Sequence, residues 1–478
     1  MTFVAIFLVN AGLSFALSLV VALLLGPAGF GRYALALSVA VVINTVLFEW
    51  LRLSTTRFHS ERAHEADPTI RTTLDGGYVV TAVGLASAAV LAWATGIDLG
   101  LPDALLAATA ACGLTLGLFD YGTALARARF LDRIYAALVL VRGLASFVLA
   151  AGAAWLTGDP ALVLAGSSVA SIAALVLVRR HLARSGPGGA LRRDLLLTFA
   201  RYAVPLVAAS AIYQLLPVVN RAILASRGGF AEAGYFSLAS EIGMRLFQNL
   251  GSALDLALFQ IAVRADELHG RDEAERQISR NIGFVTAILW PASVGLWLVL
   301  PSFEAVFVPP AFRGHFAPAM ELMIPALAAF AVVQYALNPV FQLRARTGAV
   351  IGAAAVALVV DLGIVVGWPA FAGPRDFAAA QAAGFAGALL VLGAIAVGSG
   401  ARLPWRDAVM SGIAAGGMAA ALWPMRDLAP SASTLALQVG VGGLVYLSLA
   451  LALNIAGARV FVGAAFARLR PARASRVT

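Results

Sequence analysis

The chain has no lysine: all 34 residues counted as Lys+Arg are arginine. A P-loop needs its lysine on the β- and γ-phosphates, so a conventional ATPase is excluded. Schiff-base chemistry is excluded on the same ground. Cys112 is the one cysteine and falls inside an apolar segment, so no intrachain disulfide can form. The five histidines (His59, His64, His181, His269, His315) lie between apolar segments, without metal-ligand spacing. There is no Asp-x-Asp pair for metal-dependent sugar transfer and no Gly-x-Ser-x-Gly elbow for hydrolysis. Neither an enzyme activity, a metal nor an organic cofactor is therefore expected.

Charge is scarce as well. Charged residues make up 12% and hydrophobic residues 61% of the 478 positions, against about 25% and 45–50% in soluble domains. Continuous apolar runs of about 20 residues predict membrane-spanning helices. A membrane β-barrel would show alternation instead. The fold expected is an all-α integral membrane protein with fourteen spans between Phe3 and Ala456. The first two cover Phe3–Leu25 and Tyr33–Leu51, the seventh and eighth Tyr202–Leu224 and Gly234–Ala262, the eleventh Gly348–Gly367, and a short thirteenth Ala408–Leu422. The first lacks a basic leader and a small-residue cleavage site, so it is expected to be uncleaved.

The arginines test that count. With a cytoplasmic N-terminus, inward gaps and the tail hold 26 of the 34, outward gaps hold five (Arg32, Arg227, Arg313, Arg375, Arg426), and three lie inside spans. An extra or missing span would break this alternation, so the positive-inside rule supports fourteen spans with both termini cytoplasmic. The net charge of +9 is then a topology signal that also meets anionic lipid headgroups. No nucleic-acid partner is expected.

The chain carries an internal repeat. Gly31-Arg32-Tyr33-Ala34-Leu35-Ala36-Leu37-Ser38 enters the second span, and Ala233-Gly234-Tyr235-Phe236-Ser237-Leu238-Ala239-Ser240 enters the eighth, 202 residues later. Arg127-Ala128-Arg129 and Arg344-Ala345-Arg346 close the fourth and tenth. Six spans per copy is an even number, so the copies share one orientation, about a pseudo-two-fold along the membrane normal. The expected layout is an N-lobe at 1–178, a basic cytoplasmic linker at 179–201 and a C-lobe at 202–399. Two extra helices follow at 400–457, then a basic cytoplasmic tail at 458–478. The charged stretch 264–280 is expected to extend the eighth span as a solvated helix.

Ionisable groups at membrane depth cost at least ~2.5 kcal/mol each and face a cavity or a partner. Glu241 and Arg245 stand four apart on one helix face. They form either a self-neutralising pair or a cation site tuned by the carboxylate. Arg221, near the outer end of the seventh span with Gln214 and Asn220, either joins such a site or snorkels to the interface. Asn249 follows on the eighth span. Arg142 and Asp361 occupy equivalent helices of the two copies, where a structural role competes with a functional one. Glu49 and Asp255 sit near the inner ends of equivalent spans, as a salt-bridged gate with Arg52 or as interface anchors. Pro205, Pro217, Pro325 and Pro339 are candidate kinks.

Leu25-Gly26-Pro27-Ala28-Gly29-Phe30-Gly31-Arg32-Tyr33 resembles the Leu-Gly-Pro-x-x-Phe-Gly-x-Tyr turn of polysaccharide-biosynthesis flippases. These belong to the multidrug/oligosaccharidyl-lipid/polysaccharide exporter superfamily. Gly234-Tyr235-Phe236-Ser237-Leu238-Ala239 and Leu343-Arg344-Ala345-Arg346-Thr347-Gly348 are similar to its second half. The resemblance implies a two-lobed, alternating-access flippase of the bacterial inner membrane. Its substrate would be an undecaprenyl-diphosphate-linked oligosaccharide for O-antigen, capsule or exopolysaccharide. It implies a cationic cavity on spans one, two, seven and eight, which favours Arg221, Arg245 and Glu241 over Arg142 and Asp361. The expected partners are the polyprenyl-diphosphate-linked glycan, membrane lipids, a glycan polymerase and a chain-length regulator. Proton or Na⁺ coupling through Glu49, Asp255 or Asp361 stays open. Alternatives are a peptidoglycan lipid-precursor flippase, an ion-coupled small-molecule antiporter and, from another class, a membrane-embedded glycan polymerase or ligase.

Overall fold

The computed structural model describes residues 2–59, 68–96, 100–183, 189–344 and 347–459. Residues 184–188 of the expected linker, Arg62 and His64, Ala345 and Arg346 of the repeated motif, and the tail from residue 460 lie outside them. No strand occurs among the described residues. Helix α1 (Thr2–Leu47) carries the first two spans and α2 (Glu49–Phe58) is a short amphipathic continuation. The next eight are α3 (Thr69–Ala94), α4 (Asp103–Ala128), α5 (Asp132–Thr157), α6 (Pro160–Leu182), α7 (Arg193–Gly228), α8 (Phe230–His269), α9 (Arg271–Phe307) and α10 (Phe316–Val332). The last four are α11 (Thr347–Gly367), α12 (Pro374–Gly398), α13 (Trp405–Leu422) and α14 (Ala432–Ala452).

Twelve helices among the described residues are long and apolar enough to cross a membrane. The first of them, Val9–Leu47, runs over most of two expected spans. The 40-residue α8, which is not among the twelve, runs over the expected eighth. The protein is therefore a multi-pass membrane protein, and among the described residues each of the fourteen expected spans falls mainly on helix. Within the expected linker, α6 runs to Leu182 and α7 starts at Arg193. The charged stretch 264–280 is split at Gly270, whose φ of 81° ends α8 before α9 begins.

The prolines behave unequally. Pro205 and Pro217 lie inside an unbroken α7. Pro339 follows a π turn at Val333–Leu337, the kind of local rewinding that relieves a missing backbone donor. α1 is broken at Gly26 (φ 64°, ψ 177°), just before Pro27. Only glycine takes that backbone without strain.

The chain packs as two compact units. One comprises Met1–Arg245, Val308–Met323 and Thr347–Ala388; the other comprises Leu246–Phe307, Ile324–Arg346 and Leu389–Thr478. The first has a core on Phe48, Leu51, Leu74, Phe119, Leu125 and Phe199. Small residues let its helices approach: Gly113 faces Ile43, Gly117 faces Phe48 and Gly122 faces Leu175. Such contacts carry helix association where lipid removes the hydrophobic drive. The second unit has a core on Leu298, Ala414, Met418, Leu422 and Tyr446, which joins α9, α13 and α14.

Within the first unit the two copies of the repeated turn touch each other reciprocally. A Cβ on Gly31 would overlap the Phe230 carbonyl oxygen, and a Cβ on Gly234 would overlap the Pro27 carbonyl oxygen. Gly229 repeats the positive φ of Gly26, at 86° with ψ 170°. Gly26 and Gly229, Pro27 and Phe230, and Gly31 and Gly234 all stand 203 residues apart. The mutual pattern is that of an isologous two-fold contact. The turns thus repeat at 203 residues and the adjoining tyrosines Tyr33 and Tyr235 at 202. Phe30 packs edge-on to Phe312, which packs edge-on to Tyr235.

Candidate functional site

The polar centre of the first unit is built on α1, α7 and α8. Glu241 lies one turn before Arg245, and Arg245 Nη2 donates to Glu241 Oε1 at 2.6 Å. Ser18 Oγ of α1 donates to the same oxygen at 2.7 Å. The two side chains are 13% and 30% exposed. One carboxylate oxygen thus takes two donors, which offsets part of the cost of enclosing its charge. Arg245 Nε stays buried with no acceptor among the described residues.

Arg221 of α7 is 8% exposed. It does not snorkel to the interface. Its Nη1 donates to Ser38 Oγ and, at 3.4 Å, to the Ala34 carbonyl. The second half of α1 packs beside α7 here and supplies acceptors that the interface would otherwise provide. Arg221 Nε is also buried without an acceptor. Glu241 lies within electrostatic reach of Arg221 and of Tyr33. The cluster therefore holds two guanidinium cations, one carboxylate and two unused buried N–H donors.

The remaining candidates are dispersed. Gln214 is half-buried on α7. Arg142 of α5 stacks over the Phe119 ring at 4.4 Å. Asn249 belongs to the second unit and is half-buried. Glu49 accepts from Arg52 Nε at 3.1 Å, an i,i+3 pair within α2. Burial works against the Arg52 charge, but Glu49 more than offsets this and holds its pKa above the ordinary value. The side chain of Asp255 lies outside the described residues. Asp361 of α11 is fully buried. Asn220 Nδ2 donates to its Oδ1 at 3.1 Å, while its Oδ2 has no partner among the described residues.

Two carboxylates that the span-by-span reading passed over also carry structure. Asp120 of α4 accepts from Asn44 Nδ2 at 2.9 Å. Asp75 accepts from Tyr121 at 2.6 Å and pairs with Arg71. Asp120 lies inside an apolar run, so its signal was there to be read; Asp75 lies just ahead of the third run. Among the described residues, no group of three or more His, Cys, Asp or Glu can hold a metal ion.

The family model for polysaccharide biosynthesis proteins matches residues 20–307, more than half of the chain. The chain belongs to the polysaccharide biosynthesis protein family. Its fold is that of transporters in the superfamily named above. A solved structure of lipid II flippase MurJ, in an inward closed conformation, matches with a TM-score of 0.73 at 13% identity, covering 96% of this chain and 99% of that one. An inward-facing multidrug resistance MATE family transporter matches with a TM-score of 0.56 at 12% identity, covering 82% and 94%. The Vibrio cholerae MATE transporter VcmN matches with a TM-score of 0.52 at 15% identity, covering 82% and 94%. No curated protein matches in sequence. At these identities the solved structures share the fold alone, and the substrate must be argued from the site.

Proposed function

We propose that this protein is a flippase that moves a polyprenyl-diphosphate-linked oligosaccharide across the bacterial inner membrane for surface polysaccharide synthesis. The observation that carries the reading is the pair of buried, unused donors on Arg221 Nε and Arg245 Nε. Buried donors without acceptors are rare and call for a reason. A diphosphate supplies one, since guanidinium groups make directional, charge-assisted bonds to phosphate oxygens. Glu241 lowers the net charge of the cluster, so the anion is held weakly enough to be released. In this reading both termini are cytoplasmic and the site alternates between the two faces.

The second unit, taken by itself, has an apolar cavity of about 490 Å³ between α8, α9, α13 and α14, lined by Phe247, Pro291, Phe303, Met418 and Tyr446 among others. A polyprenyl chain fits such a lining. The proposed coupling ion, a proton or Na⁺, is assigned to Asp361, whose orphaned Oδ2 faces no partner among the described residues.

The fold of the lipid II flippase covers nearly the whole chain, which favours a second reading, a peptidoglycan-precursor flippase. That protein would be needed for growth; a surface-glycan flippase would not. The test for the site is Arg245→Ala, expressed at wild-type level in a deletion strain. The expected outcome is normal insertion with loss of surface glycan. Full restoration of the glycan would remove Arg245 from the site.

A further inference from the structure

A short turn, residues 129–131, joins α4 to α5 in the first unit. It presents a large apolar ring to its surroundings: Phe130 is 81% exposed. The backbone there is left-handed, with a φ of 55°. A bulky side chain rarely adopts that conformation, whereas glycine takes it without strain. The helix end is also of the kind that ordinarily carries glycine at this position. The Leu131 amide donates to the Ala126 carbonyl at 2.8 Å and the Phe130 amide to the Arg127 carbonyl at 3.0 Å. The turn itself therefore gains nothing from a phenyl ring. In the second copy of the repeat Arg127-Ala128-Arg129 returns as Arg344-Ala345-Arg346, and the next position holds Thr347. Strain kept at one exposed aromatic residue points to a role outside the fold.

The ring is displayed at a fixed place. Arg129 Nη1 donates to the His181 and Ala183 carbonyls at 3.0 and 3.3 Å, which ties the turn to the end of α6. Arg127 lies over the Tyr135 ring at 5.5 Å and braces α4 against α5. That place is the membrane surface. The fourth apolar run ends at Ala124 and the fifth begins at Ile134. At 1.5 Å per residue Phe130 lies roughly 6–9 Å beyond either end, and the headgroup layer is about 5–8 Å deep on each side. Arg127 and Arg133 are exposed beside the ring and outnumber the exposed Asp132. Anionic headgroups complement that charge.

We infer that Phe130 is a lipid anchor, its ring inserted at headgroup depth into a leaflet that contains anionic lipid, next to headgroups drawn by Arg127 and Arg133. An apolar ring among basic side chains is the pattern that holds a surface element in the interface. The braced turn sets the depth of insertion, so this corner of the first unit keeps one height in the bilayer. The anchor is separate from the Arg221–Arg245 cluster and does not depend on the transport reading.

The test uses the full-length protein with 4-trifluoromethylphenylalanine placed at position 130 by nonsense suppression. Fluorine NMR is recorded in nanodiscs of phosphatidylglycerol and of phosphatidylcholine. Dissolved oxygen broadens nuclei in lipid, and a soluble gadolinium chelate broadens nuclei in water. The same label at Val90, an exposed residue of α3 within the third apolar run, gives the lipid limit, and the free amino acid gives the aqueous one. In phosphatidylglycerol the ring at 130 is expected to lie closer to the lipid limit. It should become more open to the chelate in phosphatidylcholine, and equally so in Arg127→Gln with Arg133→Gln. A ring as open to the chelate as the free amino acid overturns the anchor and leaves the ring as a contact for a soluble protein. Indifference to both lipid charge and the arginine changes overturns the anionic preference. Phe130→Gly fits the left-handed backbone, so it folds normally. It should retain phosphatidylglycerol about fivefold less in native mass spectrometry, the effect of burying about half a phenyl ring; equal retention would also overturn the anchor.

Discussion

The reciprocal contact between the repeated turns yields a quantitative prediction. A Gly31→Ala methyl would sit on the Phe230 carbonyl oxygen, with the Gly234 nitrogen at 2.9 Å and the Phe230 carbonyl carbon at 3.0 Å. All three atoms are backbone, so no rotamer change relieves the overlap. Carbon–oxygen approaches between helices settle near 3.3–3.6 Å, so the helices must part by on the order of 1 Å. Overpacking of this kind costs up to about 3 kcal/mol. Alanine returns about 1 kcal/mol of helix propensity, which leaves a net loss of about 2 kcal/mol. The unfolding midpoint should fall by on the order of 2 °C. Gly234→Ala should cost the same, because its methyl meets Pro27 in the same way. Gly152→Ala is the control: its Cβ would find nothing within 4 Å, so a neutral or slightly stabilising effect is expected. The assay is thermal unfolding of purified protein followed by size-exclusion chromatography. A Gly31→Ala midpoint level with that of Gly152→Ala would refute the reasoning.

Three further outcomes follow. Ser38→Ala removes the hydroxyl acceptor of buried Arg221 and should cost about 1–3 kcal/mol, read as a lower unfolding midpoint; an unchanged midpoint would mean Arg221 finds another acceptor. Replacing Glu241 and Arg245 together with Gln and Met should leave the protein folded but inactive in glycan export, whereas restored export would make the pair purely structural. Asp361→Asn keeps the size and the Asn220 contact and should abolish the dependence of transport on pH or Na⁺, measured in proteoliposomes; a retained dependence would exclude Asp361 as the coupling group.

Much of this architecture was readable in the sequence, for identifiable reasons. Apolar run length and arginine alternation are one-dimensional signals, so helices fall where the spans were expected. The Glu241–Arg245 pair was readable too, since four-residue spacing places side chains together on any helix. Contacts between distant segments were not. Nothing local to Arg221 shows that Ser38 and the Ala34 carbonyl wait on α1, 183 and 187 residues away, and an arginine near a span end reads as a snorkelling one. The Ser18 bond to Glu241 was hidden for the same reason. Pro205 and Pro217 lie within a continuous α7, and after α10 the backbone adjusts by a π turn before Pro339. The positive-φ glycines that shape the turns, Gly26 and Gly229, stand 203 residues apart, one more than the tyrosine match beside them.

The most direct measurement is mass spectrometry of lipid extracts from a strain lacking this protein, with its surface glycan profiled alongside. A lipid-linked oligosaccharide flippase predicts accumulation of a polyprenyl-diphosphate oligosaccharide and loss of the matching glycan outside the cell, both reversed by the wild-type protein but not by Arg245→Ala. An unchanged lipid-linked pool and an unchanged surface would contradict it.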